Sequence, residues 1–251
     1  MFWVAGDADS PAATVTLAPF WISRFPITIQ QFAPFVAVGY SESAACWWTP
    51  QGDHWRKTQQ RDEPWGWIDQ STRLANTPVV GVTWYEATAW AAWLTAQLAE
   101  VLPAGYVIRL PTEAEWEAAT TAPDGTAQRY PWGDTAPTSD HALYDESGVE
   151  QAMPVGCCVA GRTACGALDM AGNVWEWIGS RLEHYPHLSA QPAADMDIGK
   201  AHVPLRGGAY WNDARSMATG VRSRDYPDRS ASFHDLGFRV VLGPRETLDN
   251  G

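Results

Sequence analysis

Three observations predict a mixed, loop-rich fold with both helices and short strands. Short apolar clusters bounded by Gly, Pro, Asn and Asp dominate the chain, and two stretches carry a helical apolar period behind a capping motif. Tryptophan, at 15 of 251 residues, is far above ordinary usage. Most of these indoles are expected in the core, each with a partner for its N–H.

Taken along the chain, "QQFAPFVAV" (Gln30 to Val38) fits a helix despite the internal Pro34. The strongest helix runs from Thr83 to Glu100: Thr83 with Glu86 makes a capping box, and Trp84, Ala87, Ala91, Leu94 and Leu98 recur at helical spacing. Thr112 and Glu115 repeat that box after Pro111, and Glu113, Glu115 and Glu117 there are expected to serve cap and helix dipole rather than catalysis. Beyond Thr121, "APDGTAQRYPWGDTAPTSD" reads as long loop. Leu205 to Gly208 and Leu236 to Val241 fit strands, and between them lies a polar segment with Pro227 and no period. No internal repeat or low-complexity tract occurs.

A net charge of -12 argues against a nucleic-acid partner and an anionic membrane surface, both of which call for basic patches. The start "MFWVAGDADSPAA" lacks a positive region followed by an apolar run, and no stretch of about 18 apolar residues occurs, so no membrane insertion and a cytoplasmic location by default are expected. Cys46, Cys157, Cys158 and Cys165 have no metal-ligand spacing; buried free thiols are expected, with room for one disulfide.

The stretches "FWISRFPITIQQFAPFV", "TPVVGVTWYEATAWAAWL", "IRLPTEAEWEAA", "YPWGD", "GALDMAGNVWEWIGS", "LRGGAYWNDAR" and "LGFRVV" follow one another from about Phe2 to Leu242. In that order they resemble the domain of formylglycine-generating enzyme and sulfatase-modifying factors. The resemblance implies an α+β, C-type-lectin-like fold, loop-rich, with few regular strands and two or three helices. It further implies a single domain over residues 1–251, with a variable ligand-binding segment at 205–241.

Members of that family oxidise a cysteine in a client protein, assist oxidative sulfur chemistry, or bind without catalysis, as the variable proteins of diversity-generating retroelements do. The oxidases carry a C-x4-C thiolate pair for Cu(I) after the motif that reads "GGAYW" here, and those positions fall on Asn212 and Met217. The branch that makes sulfur-containing histidine derivatives holds iron through histidines of an additional helical domain, and this chain shows no clustered set. The expectation is therefore a protein that is not an enzyme and needs no copper.

For calcium, the resemblance implies the side chains of Asp169 and Glu176 and the carbonyls of Gly172 and Val174 as ligands, hard oxygens arranged on a turn. The alternative is that Asn173 and Glu176 only hydrogen-bond a buried turn. For binding, adenine-directed diversification turns Asn codons into codons for Asp, Ser, Tyr, His and Phe. Tyr210, Asn212, Asp213, Ser216, Ser223, Asp225, Tyr226, Ser230, Ser232, Phe233, His234 and Asp235 compose the expected ligand surface, the mixture that suits paratopes. Trp211 and Met217 are expected to be scaffold. The implied partner is an unknown protein or other macromolecule. The alternatives are an enzyme of the formylglycine-generating type and the noncatalytic sensor domain of a larger protein.

Overall fold

The computed structural model describes residues 2–4, 13–179, 202–229 and 234–245. A two-stranded antiparallel ribbon of β1 (Phe2–Val4) and β2 (Ala13–Val15) comes first. There follow β3 (Trp21–Ile22), α1 (Ile29–Gly39), α2 (Pro50–Thr58), the short α3 (Trp67–Gln70), α4 (Trp84–Gln97), β4 (Tyr106–Arg109) and α5 (Glu113–Thr120). The later chain supplies β5 (Trp175–Trp177), β6 (Val203–Arg206), β7 (Ser223–Asp225), β8 (Leu236–Gly237) and β9 (Val241–Pro244). β9 sits between β3 and β4 in an antiparallel sheet, while β7, β6, β5 and β8 lie in that order in a second sheet whose β5–β8 pairing is parallel. The expected α+β, loop-rich character is what the structure shows.

Capping boxes start α1, α4 and α5. Thr28 with Gln31, Thr83 with Glu86 and Thr112 with Glu115 each form a reciprocal box that satisfies otherwise orphaned N–H groups. α1 tolerates Pro34 because its other side is anchored: Phe32 and Phe35 are fully buried. α4 differs from its expected stripe. Its first two turns are buried nearly all round, from Trp84 to Ala91, whereas Leu98 is the partly exposed C-cap.

The principal core joins α1 and α4 to the second sheet, with Phe238 set edge-on against Phe32 and Trp90 at ring separations of 6.1 and 5.5 Å. Its indoles find acceptors as expected: Trp84 Nε1 donates to the Ile178 carbonyl at 2.9 Å and Trp177 Nε1 to the Val82 carbonyl at 2.8 Å. The cysteines depart from expectation. All four are free, but only Cys158 is buried.

The predicted strand from Leu236 to Val241 is broken into two that join different sheets. Between them Phe238 and Val240 offer their carbonyls to Ile27 and Ser23. That break turns Arg239 inward, fully buried, where it meets Glu176 with Nε–Oε2 at 2.7 Å and Nη2–Oε1 at 2.8 Å. The α5 acids are paired in the same way. Glu115 takes a two-pronged contact from Arg109 at 2.7 and 2.8 Å, Glu113 takes one from Arg222 at 2.6 and 2.8 Å, and Arg206 reaches both Glu113 and Glu117. These carboxylates neutralise arginines in a water-poor interior, a larger task than serving the helix dipole.

Candidate functional site

The turn from Asp169 to Glu176 is held by backbone geometry that few residues adopt. Asp169, Gly172 and Asn173 have φ of 56°, 76° and 65°. At Gly172 a Cβ would lie 2.1 Å from the Leu143 carbonyl oxygen, so only glycine fits. Asn173 grips the chain at Met153 through both ends of its amide, Oδ1 from the N–H at 3.0 Å and Nδ2 to the carbonyl at 3.1 Å.

Three of the four calcium ligands expected from the resemblance, Asp169, Gly172 and Glu176, are already engaged here. Both oxygens of the buried Glu176 accept from Arg239, and Oε2 also accepts from Trp116 Nε1 at 2.8 Å. Asp169 Oδ2 accepts from the Gly156 N–H at 2.7 Å, and the Gly172 carbonyl accepts from the Val174 N–H at 2.9 Å. Arg239 Nη2 further donates to the carbonyls of Leu168 and Asp169 at 2.9 and 3.2 Å, so the positive charge in this turn is a guanidinium. Among the described residues no group of His, Cys, Asp and Glu forms a metal cluster, and the calcium expectation is not carried forward. Burial, reinforced by the neighbouring Glu176, raises the Asp169 carboxyl to about 6 against the opposing pull of the Gly156 N–H and Arg239.

Residues of the expected ligand surface are spread over β7, the loop before it and the entry to β8. β7 and β8 form opposite edges of the four-stranded sheet, three strand spacings or about 14 Å apart. Ser223, Asp225 and Tyr226 lie at the β7 edge, His234 and Asp235 lead into β8, and Tyr210, Asn212, Asp213 and Ser216 lie on the loop between β6 and β7. Ser230, Ser232 and Phe233 lie outside the described residues. Several of the polar residues serve turns. Asn212 Oδ1 accepts from the Ala209 N–H at 2.8 Å, and Asp213 Oδ1 accepts from the N–H and hydroxyl of Ser216 at 3.0 and 2.8 Å.

At the β8 edge the geometry is different. Asp235 is 3% exposed; its Oδ2 accepts from Trp211 Nε1 at 2.6 Å, while Oδ1 is buried with no partner among the described residues. Burial raises this carboxyl, and the Trp211 bond opposes the rise. Tyr210 packs on Val80, Ala152 and Val174, and its hydroxyl is pushed up by burial and by Asp235, with Arg73 pulling the other way. His234 is exposed, its ring 4.9 Å from that of Trp65. Trp211 is no scaffold residue, being 52% exposed, whereas Met217 is buried against Ala142, Tyr144 and Ala171 as expected. Trp65, Arg73 and the role of Trp211 were missed from sequence, because only the folded chain brings Trp65 to His234, Arg73 towards Tyr210 and Trp211 to Asp235.

Copper does not fit the two positions that the oxidase pattern assigns to it. Asn212 is bonded into its turn and Met217 is sealed in the core. Cys157 and Cys158 point to separate carbonyls, those of Pro154 and Ser139, and burial favours the neutral thiol in both, pushing Cys158 up to about 12.

The chain belongs to the family of the sulfatase-modifying factor enzyme 1-like domain, whose model matches residues 2–243. It is 33% identical over 245 residues to a hercynine oxygenase of Mycolicibacterium thermoresistibile, a match that covers 90% of this chain and 52% of that protein. To a formylglycine-generating enzyme of Thermomonospora curvata it is 32% identical over 289 residues, covering 95% of this chain and 86% of the relative. Among solved structures, Treponema denticola variable protein 1 superposes with a TM-score of 0.66 at 21% identity, over 97% of this chain and 94% of the other, which shows the shared fold. The chain spans about half the length of the hercynine oxygenases it matches.

Two expectations are corrected by these relatives. The chain was expected not to be an enzyme, yet relatives at 31–33% identity across 90% of its length are named as oxygenases. The expectation of no copper rested on residues 212 and 217, and it fails for the same reason. Dioxygen chemistry belongs to redox-active cofactors, so a missing thiolate pair does not exclude one. No helix among the described residues is long and apolar enough to cross a membrane.

Proposed function

We propose that this chain supplies the formylglycine-generating-type domain of an oxidative enzyme, an oxidase or oxygenase, and that the substrate meets it at Asp235. The observation that carries the reading is the half-satisfied carboxylate: Oδ2 is held by an exposed tryptophan, and Oδ1 is desolvated without a partner among the described residues. Leaving a buried acceptor unmade costs about 1–3 kcal/mol, more for a charged group, and such costs persist where a ligand will complete the bonding. An N–H or ammonium group of a substrate supplies the missing donor, with Tyr210, Trp211 and His234 around it as aromatic and polar contacts. Similarity to hercynine oxygenases and formylglycine-generating enzymes supports an oxidative reaction. The described residues hold no metal cluster, so in this reading the redox ion is held outside them.

The experiment is oxygen uptake by the full-length protein loaded with ferrous or cuprous ion, given a thiol with and without hercynine, or a cysteine-containing peptide. Oxygen consumption with an oxidised product by mass spectrometry is expected in one of these arms. Asp235→Asn should lower the turnover roughly tenfold or more, in line with losing one charge-assisted hydrogen bond. A folded protein that consumes no oxygen in any arm contradicts the reading.

A further inference from the structure

A second feature lies at the opposite edge of the sheet. Between α2 and residues 226–228 is a cleft of about 660 Å³, lined by His54 and Trp55 on α2, Tyr85 on α4, and Tyr226, Pro227 and Asp228 among others. Its walls combine the rings of His54, Trp55, Tyr85 and Tyr226 with the polar side chains of Gln51, Thr58 and Gln59. Trp55 is wedged between Trp48 and Tyr85 at ring separations of 6.5 and 5.8 Å, and Tyr226 packs on His202 at 4.3 Å. The far wall is tied down because the Pro227 carbonyl accepts from the Trp84 N–H at 3.0 Å. Among the described residues no lysine or arginine lines the cleft, and its one carboxylate, Asp228, is exposed at the rim.

We propose that this cleft binds a small organic cation, a methylated or primary ammonium compound, with the ammonium group over the ring faces and Asp228 as counter-charge. Ring faces carry negative potential and attract cations, most strongly when the cation is desolvated, and a volume of this size matches small-molecule sites. A cationic ligand is favoured twice, by the rings and by the carboxylate. A neutral apolar one is favoured only by burial, and an anion is repelled by Asp228. The proposal rests on α2, Tyr85 and the 226–228 loop, and is independent of the oxidative reading.

The test is calorimetric titration of the full-length protein with choline and with its uncharged carbon analogue, in which a tert-butyl group replaces the trimethylammonium. Choline is expected to bind roughly tenfold tighter than the analogue. Tyr226→Ala and Asp228→Asn, both at exposed positions, should each weaken choline about three- to tenfold, with unchanged circular dichroism. Equal binding of choline and its analogue overturns the proposal by showing an apolar pocket. So does the absence of choline binding, or choline binding that neither variant changes.

Discussion

Two carboxylates at the second sheet, Glu176 on β5 and Asp235 just before β8, are both nearly inaccessible to water, and their surroundings are opposite. Glu176 has a guanidinium on both oxygens and an indole N–H besides. Asp235 has one indole and an orphan oxygen among the described residues. A charge moved out of water is tolerable when its partners replace the lost hydration, and otherwise it strains the fold. Glu176 therefore belongs to the framework, whereas Asp235 carries the unfilled acceptor on which the proposed function rests.

That contrast can be broken at Glu176 with the largest expected effect. Glu176→Gln, or Arg239→Met alone, removes one member of a buried pair and should cost about 3–5 kcal/mol in denaturant unfolding. Replacing both together should cost less than the two single losses added, because no uncompensated charge then remains. Next in size is the α4 cap. The fully buried Thr83 accepts from the Glu86 N–H at 3.1 Å and donates to Oε2 at 2.8 Å, so Thr83→Ala should lose about 1–2 kcal/mol.

A smaller and pH-dependent effect belongs to Asp169. Its folded value of about 6 lies above the ordinary carboxyl value of 3.8, so the folded chain binds the extra proton between the two. Stability from this group is then fully present below the lower value and declines as pH rises to about 6. Asp169→Asn keeps a side chain suited to the left-handed φ and should flatten that part of the stability curve, measured by thermal melts from acid to neutral pH. The smallest change is expected at Asp213, whose bonds to Ser216 lie on an exposed turn. Asp213→Ala should alter stability by less than about 0.5 kcal/mol.

Much of the framework was legible in the sequence because its signals are local. Thr83 with Glu86 and Thr112 with Glu115 announce α4 and α5, and Thr28 with Gln31 is the same signal for α1, which starts one residue earlier than the apolar period alone suggests. Thr49 before Pro50 was an equally readable start for α2 that the apolar period does not reveal. The candidate site was legible only in part. Asp235, Tyr210 and His234 stand in the expected surface, but its division depends on β8 pairing in parallel with β5, a contact between residues some sixty apart. Likewise nothing in "LGFRVV" says that its arginine turns inward to meet Glu176, and the family's calcium pattern therefore pointed to an ion where the chain supplies a guanidinium.

The most direct test of the contrast is the unfolding free energy of Asp235→Asn beside that of Glu176→Gln, in the same buffer. An asparagine can still accept from Trp211 while shedding the desolvated charge, so Asp235→Asn should be neutral or stabilising by up to about 1 kcal/mol, as substitutions at strained functional positions often are. Glu176→Gln should lose several kcal/mol. If Asp235→Asn is destabilised as much as Glu176→Gln, then Asp235 is framework like its counterpart, and its place at the centre of the substrate surface is lost.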